Sequence, residues 1–213
     1  MQSVELFFDF SCPWSYLALL RLQDVCERNR ARLVLRPVDV QAVLATEAPA
    51  LAKSRWAQNP AKAAWQQQDL QTWANFWGLT LQLPNSWPFA TAEAGAAALA
   101  AVETPAGLAF CRELFRRTYA EGSDPNNAAT LAAAAEQAGA DTAAVAQARD
   151  SKECRDQLAA NSRELVRRGG FGTPSVFVDG TLFFGNDRVP LVEWTLGPMG
   201  DEEFVIPGQH NVY

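Results

Sequence analysis

A cysteine, a proline, a tryptophan and a serine follow one another at Cys12, Pro13, Trp14 and Ser15, an order suited to thiol chemistry. They fall where an apolar, β-rich run at residues 4–9 (VELFFD) gives way to helical spacing, with Ala18, Leu22, Val25 and Cys26 at i, i+4, i+7 and i+8. A cysteine at that junction lies beside the unpaired amides and the positive end of a helix, which favours the thiolate. Pro13 suits the first helical turn, where its missing N–H would be unpaired in any case. The plainer alternative is a small buried cysteine at a strand end. Self-contained dithiol cycling is disfavoured, because Ser15 stands where a resolving cysteine would be needed.

The other cysteines, Cys26, Cys111 and Cys154, lie outside any comparable motif and at apolar helical spacings: Cys26 with Ala18 and Leu22, Cys111 with Leu108 and Phe115, Cys154 with Leu158 and Leu165. They read as small core residues. The four are too far apart for a zinc knuckle, and a single histidine, His210, excludes any mechanism that needs two. No metal site is expected.

The elements that must position Cys12 can be read from the pattern around it. Residues 33–38 (LVLRPV) form a second β-rich run, so strand, helix and strand make a βαβ unit ending near Asp39. From 40 to 168 the chain turns alanine-rich with a 3.6-residue period, as in TAEAGAAALAAVE and NAATLAAAAEQAGA, broken at Pro49, Pro60, LPNSWP and EGSDPNN. The alanine bias fits close helix packing, and Trp56, Trp65, Trp73 and Trp77 in this stretch read as packing residues ahead of a substrate-stacking role. After Arg168, the loop GGFGTP leads to SVFV, an Asp179-Gly180 turn and TLFF, a hairpin pattern, and GNDRVPLVEW starts a further helix. This order is that of an α/β thioredoxin fold with an all-helical insertion. Residues 1–39 and 169–213 form the discontinuous thioredoxin-like part and 40–168 the insertion, whose last helix is expected on the sheet. The two β-rich parts must meet in space.

In a fold of this kind the X-Pro bond before the third strand is cis and faces the active cysteine, and the backbone of X is left to pair with an extended peptide. Thr173-Pro174 holds that place. Asn186 and Asp187 open the final helix; they read either as simple capping or as a site for an α-amino acid group, the helix end taking the carboxylate and Asp187 the ammonium.

With 213 residues, 48% hydrophobic and 20% charged, the chain has the composition of an ordinary globular domain. Its 18 Lys and Arg against 24 Asp and Glu leave a formal charge of −6, so nucleic acid and anionic lipid are not expected partners. No apolar stretch reaches the ~18 residues of a membrane span, and the first residues carry acidic groups where a secretion signal needs basic ones, so a cytoplasmic location is expected.

FFDFSCPWSYLA near the start and GGFGTPSVFVDGTLFFGNDRVPLVEW near the end together resemble the 2-hydroxychromene-2-carboxylate isomerase family, a relative of kappa-class glutathione transferases and of DsbA-like proteins. The pattern at 69–79 (DLQTWANFWGL) and LPNSWPFAT are similar to that family too, and the likeness runs from about residue 4 to 196. It implies a thioredoxin fold with a helical insertion, glutathione as cofactor, an aromatic or conjugated oxo-acid as substrate, and often a homodimer. In such isomerases the glutathione thiolate adds to a conjugated double bond, allows rotation and leaves. Carried over, Cys12 stands where these enzymes usually have the serine that hydrogen-bonds the glutathione sulfur. Pro13 and Trp14 flank it, Thr173 pairs with the cysteinyl backbone of glutathione, and Asn186 and Asp187 hold its γ-glutamyl end. Two departures follow. A thiol at 12 is a weaker donor than a hydroxyl, yet it can form a mixed disulfide, so a monothiol oxidoreductase, a kappa-like transferase and a non-catalytic glutathione- or peptide-binding module stand as alternatives. The segment TEAPALAKS replaces one that often supplies an asparagine, and neither Lys53 nor Asn59 is carried over.

Overall fold

The computed structural model describes residues 1–47 and 60–197. Trp56, Lys53, Asn59, His210 and the tail beyond 197 lie outside the described residues. The chain runs β1 (Ser3–Phe8), α1 (Pro13–Arg28), β2 (Arg32–Pro37), α2 (Val40–Glu47), α3 (Pro60–Phe76), α4 (Ala92–Leu99), α5 (Gly107–Ala120), α6 (Ala128–Ala138), α7 (Thr142–Asp150), α8 (Lys152–Arg167), β3 (Ser175–Val178), β4 (Thr181–Phe184) and α9 (Val189–Leu196). The sheet order is β2-β1-β3-β4, with β1 parallel to β2 and antiparallel to β3, and β3 antiparallel to β4. The two β-rich ends of the chain therefore join through β1 and β3, with Leu6 opposite Val176. This is a thioredoxin fold with a helical insertion.

Strand alternation sorts β1 into two faces. Val4, Leu6 and Phe8 join Val176, Val178 and Leu35 in one core with α1, α5 and α9, while Phe7 joins Phe177, Val43 and Leu165 on the other side. Leu165 lies on α8, so that helix packs beneath the sheet. The helical part shares the larger core. Phe115 on α5 stacks on Tyr16 at 5.5 Å between ring centroids and lies 4.7 Å from Phe10. The alanine bias acts through close approach, because Ala94, Ala96, Ala97 and Ala98 on α4 are fully buried, and a Cβ at Gly95 would meet the Leu158 side chain at 2.8 Å.

Sequence signals explain the local endings. Asn127, Asp141 and Ser151 accept hydrogen bonds from the first-turn amides of α6, α7 and α8. The Asp179-Gly180 turn has positive φ at both residues, 48° and 83°, the form a two-residue hairpin needs. At the end of α8, Gly169 has φ 85° and its N–H donates to the Val166 carbonyl, while the Gly170 N–H donates to that of Leu165. This cap sets the course of the loop to Thr173. A Cβ at Gly170 would collide with the buried Leu165 side chain and come within 3.1 Å of its carbonyl oxygen. Gly170→Ala is accordingly expected to lose about 1–3 kcal/mol by overpacking, measured by urea unfolding.

Three details depart from the sequence reading. Residues 186–188 form a 3-10 turn (Asn186–Arg188), and α9 starts only at Val189, where Pro190 fits its first turn. Trp65 is 59% exposed and so is not a packing residue, whereas Trp73 and Trp77 pack on the core and stack 6.2 Å apart. Cys154 is only half-buried, because it lies in the first turn of α8 before that helix dips under the sheet.

Candidate active site

Cys12 is the N-cap of α1, with extended backbone (φ −103°, ψ 105°), and Pro13 begins the helix. Its N–H donates to the Asp9 carbonyl at 3.0 Å, its own carbonyl accepts from Ser15 N at 3.0 Å, and its side chain is 6% exposed. The Sγ donates to the Thr173 carbonyl at 3.2 Å. The Thr173–Pro174 peptide is cis, as is Trp87–Pro88. Cys12 and Thr173, 161 residues apart in sequence, thus meet at one end of the two central strands, β1 and β3. Among the other thiols, burial pushes Cys26 up to about 12 and Cys111 further still, so both stay protonated.

Beside Cys12 opens a cleft of about 320 Å³, in the size range of small-molecule sites. Trp14 and Pro13 form one wall, Val40 and Leu44 of α2 another, and Phe171, Gly172, Thr173 and Phe184 the third; Gln66 of α3 and Trp87 complete it. The rings of Phe171 and Phe184 are 4.4 Å apart, and a Cβ at Gly172 would press on Phe184 at 3.2 Å. The walls are planar and apolar. Among the described lining residues none carries a charge.

The loop that carries Cys12 is held from several elements at once. Asp9 is 2% exposed: its Oδ1 accepts from Ser11 N (2.6 Å), Ser11 Oγ (2.7 Å) and Thr91 Oγ1 (2.8 Å), and its Oδ2 from Val40 N (2.8 Å). Trp87 Nε1 donates to the Ser11 carbonyl at 2.7 Å and Tyr119 Oη to that of Phe10 at 3.0 Å. Thr91, Trp87 and Tyr119 all belong to the helical part, which therefore locks residues 9–12 in place. Sequence reasoning missed these groups. A signal for Asp9 existed, an acid inside the apolar run FFDF; Trp87 and Thr91 lie in LPNSWPFAT, and Phe171 and Phe184 in the segment around Thr173, both of which carried the resemblance without assigning these residues a role, while for Gln66 there was no signal.

Of the residues singled out from the sequence, Cys12, Pro13, Trp14 and Thr173 come together around this cleft. Asn186 and Asp187 do not line it. Their turn lies next to the cis-proline segment, because Gly185 N donates to the Pro174 carbonyl at 3.0 Å; Asn186 is buried and Asp187 half-exposed. Gly185 is the N-cap of this turn and Arg188 that of α9, so neither Asn186 nor Asp187 stands at an N-cap position. Across from it on α3, partial burial first and the Asp187 charge second hold the Asp69 carboxyl above its ordinary value. Among the described residues no cluster of three metal-ligating side chains occurs, and no helix is long and apolar enough to cross a membrane.

A thioredoxin sheet, a cysteine at the first helix start and a cis proline facing it define a class. The chain belongs to the family of the DSBA-like thioredoxin domain, whose pattern matches residues 3–197. It is similar to 2-hydroxychromene-2-carboxylate isomerase of Sphingobium xenophagum, with 30% identity over 195 residues that cover 90% of this chain and 96% of that protein. A solved 2-hydroxychromene-2-carboxylate isomerase superposes with a TM-score of 0.77 at 23% identity, over 92% of this chain and 94% of that one. The cytosolic disulfide reductase DsbM from Pseudomonas aeruginosa with GSH superposes with a TM-score of 0.64 at 19% identity, over 91% and 98%.

Proposed function

We propose that this protein is a glutathione-dependent isomerase of the 2-hydroxychromene-2-carboxylate type, acting on a planar conjugated oxo-acid in the cleft beside Cys12. The observation that carries the reading is the apolar, aromatic-walled cleft with Cys12 and Thr173 at one end, in a chain whose curated relative at 30% identity is named for that isomerisation. Glutathione fits the residues present. Thr173 offers main-chain groups and a buried hydroxyl without a hydrogen-bond partner, and Pro13 and Trp14 flank the sulfur position. Asn186 and Asp187 lie beside the cis proline for the γ-glutamyl end. When bound, glutathione supplies a thiol that adds reversibly to a conjugated double bond.

The chain's own groups do the rest. Cys12, at the positive end of α1, holds the incoming sulfur by hydrogen bonding and favours its ionised form. Trp14, Trp87, Phe171 and Phe184 orient the planar substrate and exclude water, which strengthens every polar contact inside. Asp69 and Asp187 repel one another when both are ionised, and an ammonium between them relieves that repulsion. Because the Asp69 carboxyl lies above its ordinary value, its ionisation costs the folded protein stability above that range, and the cost disappears as protons bind at lower pH. Asp69→Asn is thus expected to raise the melting temperature at neutral pH and leave it unchanged at acid pH. It should also weaken binding of reduced glutathione about tenfold, measured by titration calorimetry.

A second reading is favoured by one observation, the free thiol at Cys12. In a glutathione-linked thiol–disulfide exchange, the Cys12 thiolate attacks oxidised glutathione, a mixed disulfide forms, and one glutathione leaves as its thiolate. Intact-mass spectrometry and calorimetry with reduced and oxidised glutathione separate the two. Saturable binding of the reduced form without an adduct, together with turnover of 2-hydroxychromene-2-carboxylate, supports the isomerase. An adduct of one glutathione on Cys12 and no isomerisation overturns it.

A further inference from the structure

Ser15 is the third helical residue after the N-cap Cys12, and side chains at those two positions face one another across the first turn of a helix. It is fully buried, and its Oγ has no hydrogen-bond partner. A serine hydroxyl inside a helix ordinarily bonds the carbonyl four residues back. Here that carbonyl, on Ser11, already accepts from Trp87 Nε1 at 2.7 Å, and the one three back, on Cys12, accepts from Ser15 N at 3.0 Å. Buried hydroxyls are rarely left idle.

The sulfur nearby has the complementary need. As a thiol it donates to the Thr173 carbonyl at 3.2 Å; once ionised it can only accept, and that carbonyl no longer helps. The groups facing it are neutral: Val40 and Leu44 on α2, Gln66 on α3, Trp87, and Phe171 and Phe184 from the opposite wall. The buried carboxylate of Asp9 is committed to its four donors. With no cation in the described lining, the negative sulfur has the helix amides and two idle hydroxyls, Ser15 Oγ and Thr173 Oγ1, to draw on.

We infer that Ser15 is a positioning residue whose hydroxyl donates to Cys12 Sγ when the thiol loses its proton, so the serine at the resolving-cysteine position supports the reactive sulfur instead of competing with it. The inference rests on the reading that Cys12 is the group at which sulfur chemistry occurs, but not on the substrate. Its test is alkylation of Cys12 by iodoacetamide from acid to alkaline pH, followed by mass spectrometry of the Cys12 peptide, in wild type, Ser15→Ala and Thr173→Val.

Ser15→Ala is expected to slow alkylation at neutral pH about tenfold, with the difference narrowing as the pH rises. An unchanged rate, or a ratio that stays constant across pH, overturns the inference. So does a pH-dependent loss confined to Thr173→Val, which assigns the donor to Thr173. Ser15→Cys gives an independent geometric readout. Treated with oxidised dithiothreitol, it should form a disulfide between Cys12 and the introduced thiol, losing two hydrogens while the reagent is reduced to its dithiol; a folded variant that keeps both thiols overturns the facing geometry. Neither assay uses glutathione or an oxo-acid, so loss of the isomerase reading would leave both results standing.

Discussion

On the proposed isomerase reading, Cys12→Ala is expected to lower kcat/KM for 2-hydroxychromene-2-carboxylate about 10²-fold, the loss typical of removing one donor from a developing anion in a dry site. Cys12→Ser, by contrast, is expected to stay within about tenfold of wild type, because a hydroxyl at the N-cap of α1 donates to sulfur at least as well as a thiol. The contrast follows from position: the group at residue 12 sits at the helix end, 6% exposed, against the Thr173 carbonyl and at the head of the aromatic cleft. Steady-state kinetics of both variants at saturating reduced glutathione measure it. If serine abolishes all turnover and the wild-type protein exchanges disulfides, Cys12 is the covalent nucleophile and the protein an oxidoreductase.

Asp9→Ala is expected to destabilise the fold by about 3–5 kcal/mol, among the largest single effects a side chain here can have. The carboxylate is 2% exposed and accepts from Ser11 N, Ser11 Oγ, Thr91 Oγ1 and Val40 N, so its removal strands four buried donors from three parts of the chain. Asp9→Asn keeps an oxygen for the three donors at Oδ1 but turns an N–H group toward Val40 N, for a loss of about 1–3 kcal/mol. Urea unfolding gives both numbers, and a loss below about 1 kcal/mol for alanine would mean that water replaces the carboxylate. Iodoacetamide reactivity of Cys12 in Asp9→Asn should change with stability, because the same carboxylate holds the loop on which the sulfur rides.

The fold was largely legible because its signals are local. β1 and β2 stand out as β-rich runs, Pro13 and the helical spacing that follows mark α1, and the Asp179-Gly180 turn marks the hairpin, each governed by backbone sterics or by the period of burial within a few residues. The helix assigned to Asn186 failed for a related reason. Asn and Asp favour a helix start, but Gly185 at φ 104° and its bond to Pro174 tighten 186–188 into a 3-10 turn before Pro190 can begin α9. Trp65 was misjudged because a helix surrounded by alanine says little about which of its faces meets the core.

The candidate site divides along the same line. Cys12, Pro13 and Trp14 are adjacent in sequence, and a thiol at a helix start has chemistry that neighbours alone confer, so the sequence by itself determined the candidate thiol and the kinds of reaction open to a group at that place. Thr173 could be paired with it through the order of the strands. What only the tertiary structure decided is everything that reaches Cys12 from far along the chain: Asp9 clasping Thr91 and Val40, Trp87 and Tyr119 pinning the loop, and the aromatic walls. Such contacts depend on how the helical part lies over the sheet. That placement is fixed by close packing of alanine-rich faces, whose uniform composition leaves no residue-level signal of which atoms will touch.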